Sequence, residues 1–492
     1  MRRTVVFLLL TLVMFPAIGQ EVLRTRNCRP KLEQIDLSKH IQRRASAKNR
    51  TDTVVNPLIG ERRQLVVLAE FADKGFKGDS LQTLQQWDKI LNTKNLNDTL
   101  FFGSLHDYFY DQSYGQFNVS FDLFYVAVDS VKKYRSTNDD DENSKYLVQD
   151  IVSVIDDNVN DWGMYDWNND GKVDQLLIIY AGKGMNDGGG KMSIWPHQWW
   201  MSEHEDCNPI PVTTGLKTYL VDSYCAVAEL SGRGDYGSFG TLCHEFSHCF
   251  GLPDFYNGST QFVGSWDLMD YGNFNGNGFH PCGYSAFERA FMGWITPVEL
   301  DNDTVITGFQ ALSDAPMSYL IRNDGWADEY YLVENRQMKG WDELLPDSGI
   351  VVFHVDYDED IFHYGMPNEK TRKRYTIFPA NNKTYFSKEN IKGWAYPNNG
   401  NNSLTNTSEP AAELNNLNSD GTLFMNKPIT EMAVVSGVAQ FKFCYPLVDG
   451  IGSVKLESVS EGPWFSIQGD PLPGVPERQG LYIREGKLVL VR

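Results

Sequence analysis

The feature that most constrains this chain is the run His244-Glu245-Phe246-Ser247-His248, followed at fixed offsets by Gly251 and Asp254. Residues four apart on a helix share a face, so the two imidazoles can reach one ion at the ~2.0–2.1 Å that zinc requires. Phe239, Leu242, Cys243, Phe246 and Phe250 recur at helical spacing on the opposite side, which makes the segment an amphipathic helix with its histidines on the polar face. Gly251 suits the left-handed residue that ends such a helix. A chain reversal there brings Asp254 back as a third, anionic ligand. Three protein ligands leave a fourth position for water, the arrangement of a catalytic zinc. Glu245 lies beside the ligand face, placed to act as general base and then general acid.

The surroundings of this motif bound the class of protein. Arg2 and Arg3 precede an apolar run from Val5 to Phe15 and the small residues Ala17 and Gly19, the pattern of a signal peptide. No later stretch approaches the roughly 18 apolar residues of a membrane span. The expectation is a secreted bacterial protein, extracellular or at the cell surface, with no integral membrane segment. A net charge of −20 over 492 residues argues against nucleic acid as a partner, because phosphate backbones reward clustered Lys and Arg. Seven cysteines in an exported chain invite disulfides. Cys243 and Cys249 are about 9 Å apart in helical rise, beyond disulfide reach, and Cys207 with Cys225 is the one pairing expected.

Residues 20–62 are polar and rich in Arg and Lys, a propeptide or N-terminal arm. Cys28 within it offers a thiolate that could hold a zymogen silent; an incidental cysteine is the plainer reading. Apolar strands are expected at Gln64–Phe71 and Gln175–Tyr180, a helix near Ser104–Gln112, and an alternating strand at Phe117–Leu123. The run Asp139-Asp140-Asp141-Glu142 reads as a solvated loop. After Pro297 the pattern turns to short strands, including Tyr330–Val333 and Gly349–Val355.

A second metal motif is Asp166-Trp167-Asn168-Asn169-Asp170-Gly171-Lys172-Val173-Asp174. Oxygens from Asp166, Asn168, Asp170, the Lys172 carbonyl and Asp174 fall at positions 1, 3, 5, 7 and 9, with Gly at 6, as in a calcium loop. Leu177 occupies position 12 in place of the usual Glu, consistent with a strand leaving the loop. Structural calcium is expected here; an Asx-turn loop without an ion is the alternative.

These residues, together with Leu68-Ala69-Glu70-Phe71-Ala72-Asp73, Ser113–Phe117, Trp195-Pro196-His197, Gly251-Leu252-Pro253-Asp254, Trp266-Asp267-Leu268-Met269, Gly293–Pro297 and Glu334-Asn335-Arg336, resemble the immune inhibitor A family of zinc metallopeptidases, in the metzincin group. The resemblance implies an α+β fold, a metzincin-like zinc peptidase domain followed by a β-rich domain, and endopeptidase activity on protein or peptide substrates. It also implies that Met269 forms an apolar floor beneath the metal. Tyr271 stands two residues later, where some other metzincins carry a catalytic tyrosine; this family has small residues there, and the alternative is a wall of the cleft. Trp266 is expected to line that cleft. The domains read as 1–19 signal peptide, 20–62 arm, 63–310 catalytic, 311–445 β-rich and 446–492 tail. The tail closes like a C-terminal sorting segment of Bacteroidetes-type secretion systems, which would attach the protein to the cell surface; a plain solvated hairpin fits equally. A monomer is expected. Two rivals are a zinc hydrolase acting on something other than peptides, and a catalytically silent binding or adhesion protein on the same fold. The presence of Glu245 weighs against the second.

Overall fold

A run of apolar residues without alternation has to be covered on both faces, and Leu65-Val66-Val67-Leu68-Ala69 is such a run. In the computed structural model it lies in strand β1, Gly60–Phe71, and these five residues are fully buried. The structure describes residues 58–135, 142–364, 367–445 and parts of the stretch 463–491. The expected signal peptide, the arm up to residue 57 with Cys28, and the acidic residues 139–141 lie outside the described residues.

β1 pairs in parallel with β2, Phe117–Val128, and with β3, Leu176–Lys183. The short β4, His197–Trp200, runs antiparallel to β5, Ser223–Leu230, which itself is parallel to β3. The sheet order is therefore β2-β1-β3-β5-β4, four parallel strands with one antiparallel edge. Helices α1, Ser80–Asn92, and α2, Leu105–Gln112, pack on β2. Both begin with reciprocal caps: Asp79 accepts from Gln82 N at 2.9 Å, and Ser104 accepts from Asp107 N at 3.1 Å. These caps satisfy amides that the first helical turn leaves without partners. Helix α3, Ser144–Ile155, also meets β2, and α4, Phe239–His248, lies against β5 and β4.

The later half adds two sheets. Strands β6 (Val298–Glu299), β8 (Tyr319–Arg322), β9 (Glu329–Arg336), β10 (Gly349–Asp356) and β11 (Tyr375–Ile377) form one, in the order β11-β10-β9-β8-β6. Strands β7 (Thr304–Phe309), β12 (Ile429–Val435) and β13 (Val438–Phe443) form the other, with β13 central. Side chains alternate across a strand, and β9 and β10 use both faces. Leu332, Val351, Phe353 and Val355 join the core that contains β1 and α4, whereas Tyr331, Val333, Ile350 and Val352 join a second core with Phe309 and Phe441. The expected catalytic and β-rich segments thus share an apolar core, and the chain up to Tyr445 clusters as one compact unit, with 446–492 as another. In that smaller unit Trp464–Ser466, Gly480–Arg484 and Lys487–Val491 form an antiparallel three-stranded sheet whose last two strands are the closing hairpin. The architecture is α+β, and no helix among the described residues is long and apolar enough to cross a membrane.

The expected disulfide is not formed. Cys207, Cys225, Cys243, Cys282 and Cys444 are free thiols, and Cys207 accepts a hydrogen bond from Gln149 at 3.8 Å. Cys225, Cys243 and Cys282 behave as small apolar core residues; burial pushes their thiols well up.

Stability rests on the double-covered sheet. Ile178, at the middle of β3, is fully buried; Ile178→Ala should lower the unfolding free energy by about 2–5 kcal/mol, read from urea denaturation monitored by tryptophan fluorescence.

Candidate metal centre

All ten residues of α4 are buried, because Phe239, Leu242, Cys243 and Phe246 pack into the main core while the opposite face meets the segments that follow the helix. Phe246 lies 5.3 Å from the ring of Phe109 on α2. The last turn tightens: Cys249 N donates to Phe246 O at 3.1 Å and Gly251 N to His248 O at 2.9 Å. Gly251 adopts φ +93°, a conformation costly to any residue with a Cβ, and a Cβ there would press on the Phe291 ring at 3.3 Å. The chain reverses at this point, as its sequence requires, and Asp254 returns to the helix.

Two backbone carbonyls orient the imidazoles. His244 Nδ1 donates to Leu268 O at 2.9 Å, and His248 Nδ1 donates to Leu252 O at 2.8 Å. A carbonyl only accepts, so each ring carries a proton on Nδ1 and turns its Nε2 toward the site. His244 Nε2 lies 3.1 Å and His248 Nε2 3.3 Å from Asp254 Oδ1. Ligands about 2.0–2.1 Å from a tetrahedral ion are roughly 3.3 Å from one another, so these separations fit a zinc site. Glu245 Oε2 lies 4.0 Å from His248 Nε2. His244, Glu245 and His248 each offer a candidate ligand atom, and these atoms all lie within 4.8 Å of one another.

The electrostatics are those of a cation site. Burial opposes charge on His244, but the hydrogen bond to Asp254 and the charges of Glu245 and Asp254 outweigh it and push the imidazole up to about 9. Burial likewise opposes charge on Asp254, and the two histidines hold its carboxyl well below the usual range. The pocket is arranged to concentrate positive charge against a buried carboxylate.

Leu268, which holds His244, belongs to a turn fastened from several sides. Asp267 Oδ1 accepts from Met269 N at 2.8 Å, and Asp270 Oδ2 accepts from the amides of Phe262, Val263 and Gly264 at 2.8–2.9 Å. Met269 O accepts from Phe255 N at 2.9 Å, tying the turn to the residue after Asp254. Met269 is fully buried. Trp266 is fully buried too and does not line a cleft; its side chain fills the core while its carbonyl accepts from Arg336 at 3.2 Å. Arg336 itself is enclosed, with both arms of its guanidinium on Asp342 at 2.7 Å, a third bond to Glu334 at 3.0 Å and another to Gly283 O at 3.0 Å. The motif Glu334-Asn335-Arg336 therefore braces the turn from the β-rich half, a role its sequence did not disclose. Another residue missed in the sequence is Tyr256, whose ring stacks on His244 at 6.1 Å and 25°.

Tyr271 sits among aromatic rings. It packs between Phe274 at 5.0 Å and Phe386 at 5.3 Å. In the Asp166–Asp174 loop, Asn169 stands at φ +59° and Gly171 at φ +87°. Its acidic side chains turn onto loop amides: Asp166 accepts from Asp170 N and Gly171 N at 3.0 Å, Asn168 from Asp170 N at 2.9 Å, Asp170 from Lys172 N at 2.9 Å, and Asp174 from Trp167 N. Burial, with the charges of Asp170 and Asp166 adding to it, pushes the Asp174 carboxyl up to about 7.

Similarity to known proteins covers the part of the chain that holds these residues. Residues 61–295 match the catalytic domain of immune inhibitor A peptidase M6. Immune inhibitor A of Bacillus thuringiensis subsp. alesti is 29% identical over 155 residues, covering 28% of this chain and 22% of that protein. The pre-pro-metalloprotease PrtV of Vibrio cholerae serotype O1 (strain M66-2) is 25% identical over 255 residues, covering 45% of this chain and 25% of that protein. The matched stretches thus span about a quarter of the length of these relatives. Residues 61–295 of this chain are thus similar to the catalytic domain of the immune inhibitor A peptidases of family M6.

Proposed function

We propose that the chain is an exported zinc endopeptidase in which His244, His248 and Asp254 hold the metal and Glu245 moves the proton. The observation that carries this reading is the convergence of both Nε2 atoms on Asp254 Oδ1 at 3.1 and 3.3 Å, with each Nδ1 already committed to a carbonyl. Bound there, zinc would supply Lewis acidity to a scissile carbonyl and to the attacking water. Glu245, on the same helix but outside the ligand set, accepts a proton from that water and returns it to the leaving amine. Its burial keeps the carboxylate close to the reacting atoms and away from bulk solvent. Asp254 contributes the negative charge that a site of two neutral imidazoles lacks.

Export rests on the leader-like residues 1–19, and attachment to a cell surface on the closing hairpin of the tail. The substrates on this reading are proteins or peptides, and the protein acts as a monomer. The loop Asp166–Asp174 takes a structural calcium ion: Asp166, Asn168, Asp170, the Lys172 carbonyl and Asp174 supply oxygens, and an ion relieves the repulsion among three neighbouring carboxylates.

Three measurements check these assignments. Glu245→Gln keeps the side-chain volume but cannot take the proton, so it should lower kcat/KM on a cleaved peptide by about 10²–10⁴-fold while the zinc content per chain stays at the wild-type level. Full activity in that variant would discard the proton role. His244→Ala removes a ligand and should release the metal, read as zinc per chain after dialysis. Calcium at a hundredfold excess over its dissociation constant should stabilise the wild type by about 2.7 kcal/mol, seen as a rise in the thermal midpoint. Asp170→Ala should abolish that rise, and a wild-type midpoint indifferent to calcium would remove the site.

A further inference from the structure

Two buried arginines meet at Gly283 and are satisfied differently. Arg336 uses all five of its N–H groups, on Asp342, Glu334, Gly283 O and Trp266 O, so that two carboxylates balance its charge. Arg289, on the helical turn Ala286–Phe291, is only 2% exposed. It donates to Tyr284 O at 3.1 Å, to Leu312 O at 3.3 Å and to Gln112 Oε1 at 2.8 Å, and its guanidinium lies 4.9 Å from the centre of the Tyr114 ring. Three of its five N–H groups are thus engaged among the described residues, each with an uncharged oxygen. A buried charge held in this way is costly.

Arg289 borders a cavity of about 260 Å³ together with Asp111, Tyr114, Gly283 and Trp341. A Cβ on Gly283 would stand 2.8 Å from Gln112 Oε1 and 3.4 Å from Arg289 Nη2, so glycine leaves the room beside the guanidinium. Asp342 also lines the cavity, but Arg336 and the Gly283 amide occupy both of its oxygens. Asp111 is different. It is exposed, which puts it at the solvent side, and its Oδ2 accepts from Trp341 Nε1 at 2.9 Å while Oδ1 stays open among the described residues. The Trp341 ring is held edge-on 4.9 Å from Phe102. The cavity therefore has a cation at its inner end, an anion toward solvent and aromatic rings along its sides. The candidate metal ligands are not among the residues that line it.

We propose that this cavity is a binding site for a free amino acid, with its carboxylate on the remaining N–H groups of Arg289, its ammonium on Asp111 and an apolar side chain against Tyr114 and Trp341. A planar guanidinium matches a carboxylate in shape, and the bonds are charge-assisted. A simple anion would be repelled by Asp111 and a simple cation by Arg289, whereas a small zwitterion answers both charges. The volume lies just under the ~300 Å³ at which sites for drug-sized ligands begin, which suits one amino acid and excludes a longer peptide. The site stands apart from the metal centre, and the inference does not depend on the proteolytic reading.

The test is calorimetric titration of the full chain with L-phenylalanine, L-tyrosine, L-leucine and L-methionine. At least one should bind at one per chain. The tightest is then compared with its N-acetyl derivative, which lacks the ammonium, and its amide, which lacks the carboxylate. Each should bind about 10-fold or more weakly, the scale of one hydrogen bond between charged groups. Asp111→Asn keeps an acceptor for Trp341 and should weaken the amino acid about 10-fold or more while leaving the N-acetyl derivative at its wild-type affinity. Arg289→Gln should abolish binding; if that variant does not fold, Asp111→Asn and the two derivatives decide. Four amino acids that all fail to bind, derivatives that bind as tightly as the parent, or an Asp111→Asn chain with wild-type affinity for it would each overturn the site. The last result is also what an amino acid held at the metal centre would give.

Discussion

Two hydrogen bonds from imidazole Nδ1 atoms to backbone carbonyls constrain more of this molecule than any others. The bond from His248 to Leu252 O fixes how the chain leaves α4, and the bond from His244 to Leu268 O fixes where the following turn lies. Each sets a tautomer and a ring plane together. A metal site tolerates only a few tenths of an ångström in ligand position, so both carbonyls must be held by something stiffer than a loop.

The stiffness comes from buried polar groups that are individually expensive and are tied to one another and to the backbone. Asp270 gathers three successive amides, Asp267 takes Met269 N and the hydroxyl of Tyr375, and Arg336 joins Trp266 O and Gly283 O to Asp342 and Glu334. Removing one partner would leave another charge uncompensated in the core, at several kcal/mol. Such a network makes the turn a single unit with β9, and it explains why the second half of the chain packs into the same core as the first. The β-rich strands are a support for the metal centre as much as an addition to it.

Much of this was legible in the residues themselves. The helix, its end at Gly251 and the return of Asp254 follow from local rules of spacing and backbone sterics, so His244, Glu245, His248 and Asp254 could be named before any fold was known. The buried strand at Leu65–Ala69 was equally plain, because an unbroken apolar run has few other fates. The disulfide between Cys207 and Cys225 and the cleft position of Trp266 were misread for a common reason. Both depend on which neighbours a side chain meets, and a composition of free thiols and tryptophans does not disclose them. Arg336 and Tyr256 went unassigned because their partners, Trp266 O and the His244 ring, lie 70 and 12 residues away in sequence.

What the sequence by itself determined about this protein is the residue pattern at one point: two histidines, a glutamate and an aspartate, their spacing on and after α4, and the glycine that turns the chain. Those are short-range consequences of helical pitch and of the φ values open to glycine. Only the tertiary structure decided which nitrogen of each histidine faces the site, which carbonyls hold the other nitrogen, and that the Tyr256 ring stacks on His244. These depend on long-range packing between α4, the Met269 turn and strands more than 60 residues further on, where the partner of a given side chain is set by how whole sheets and loops close on one another.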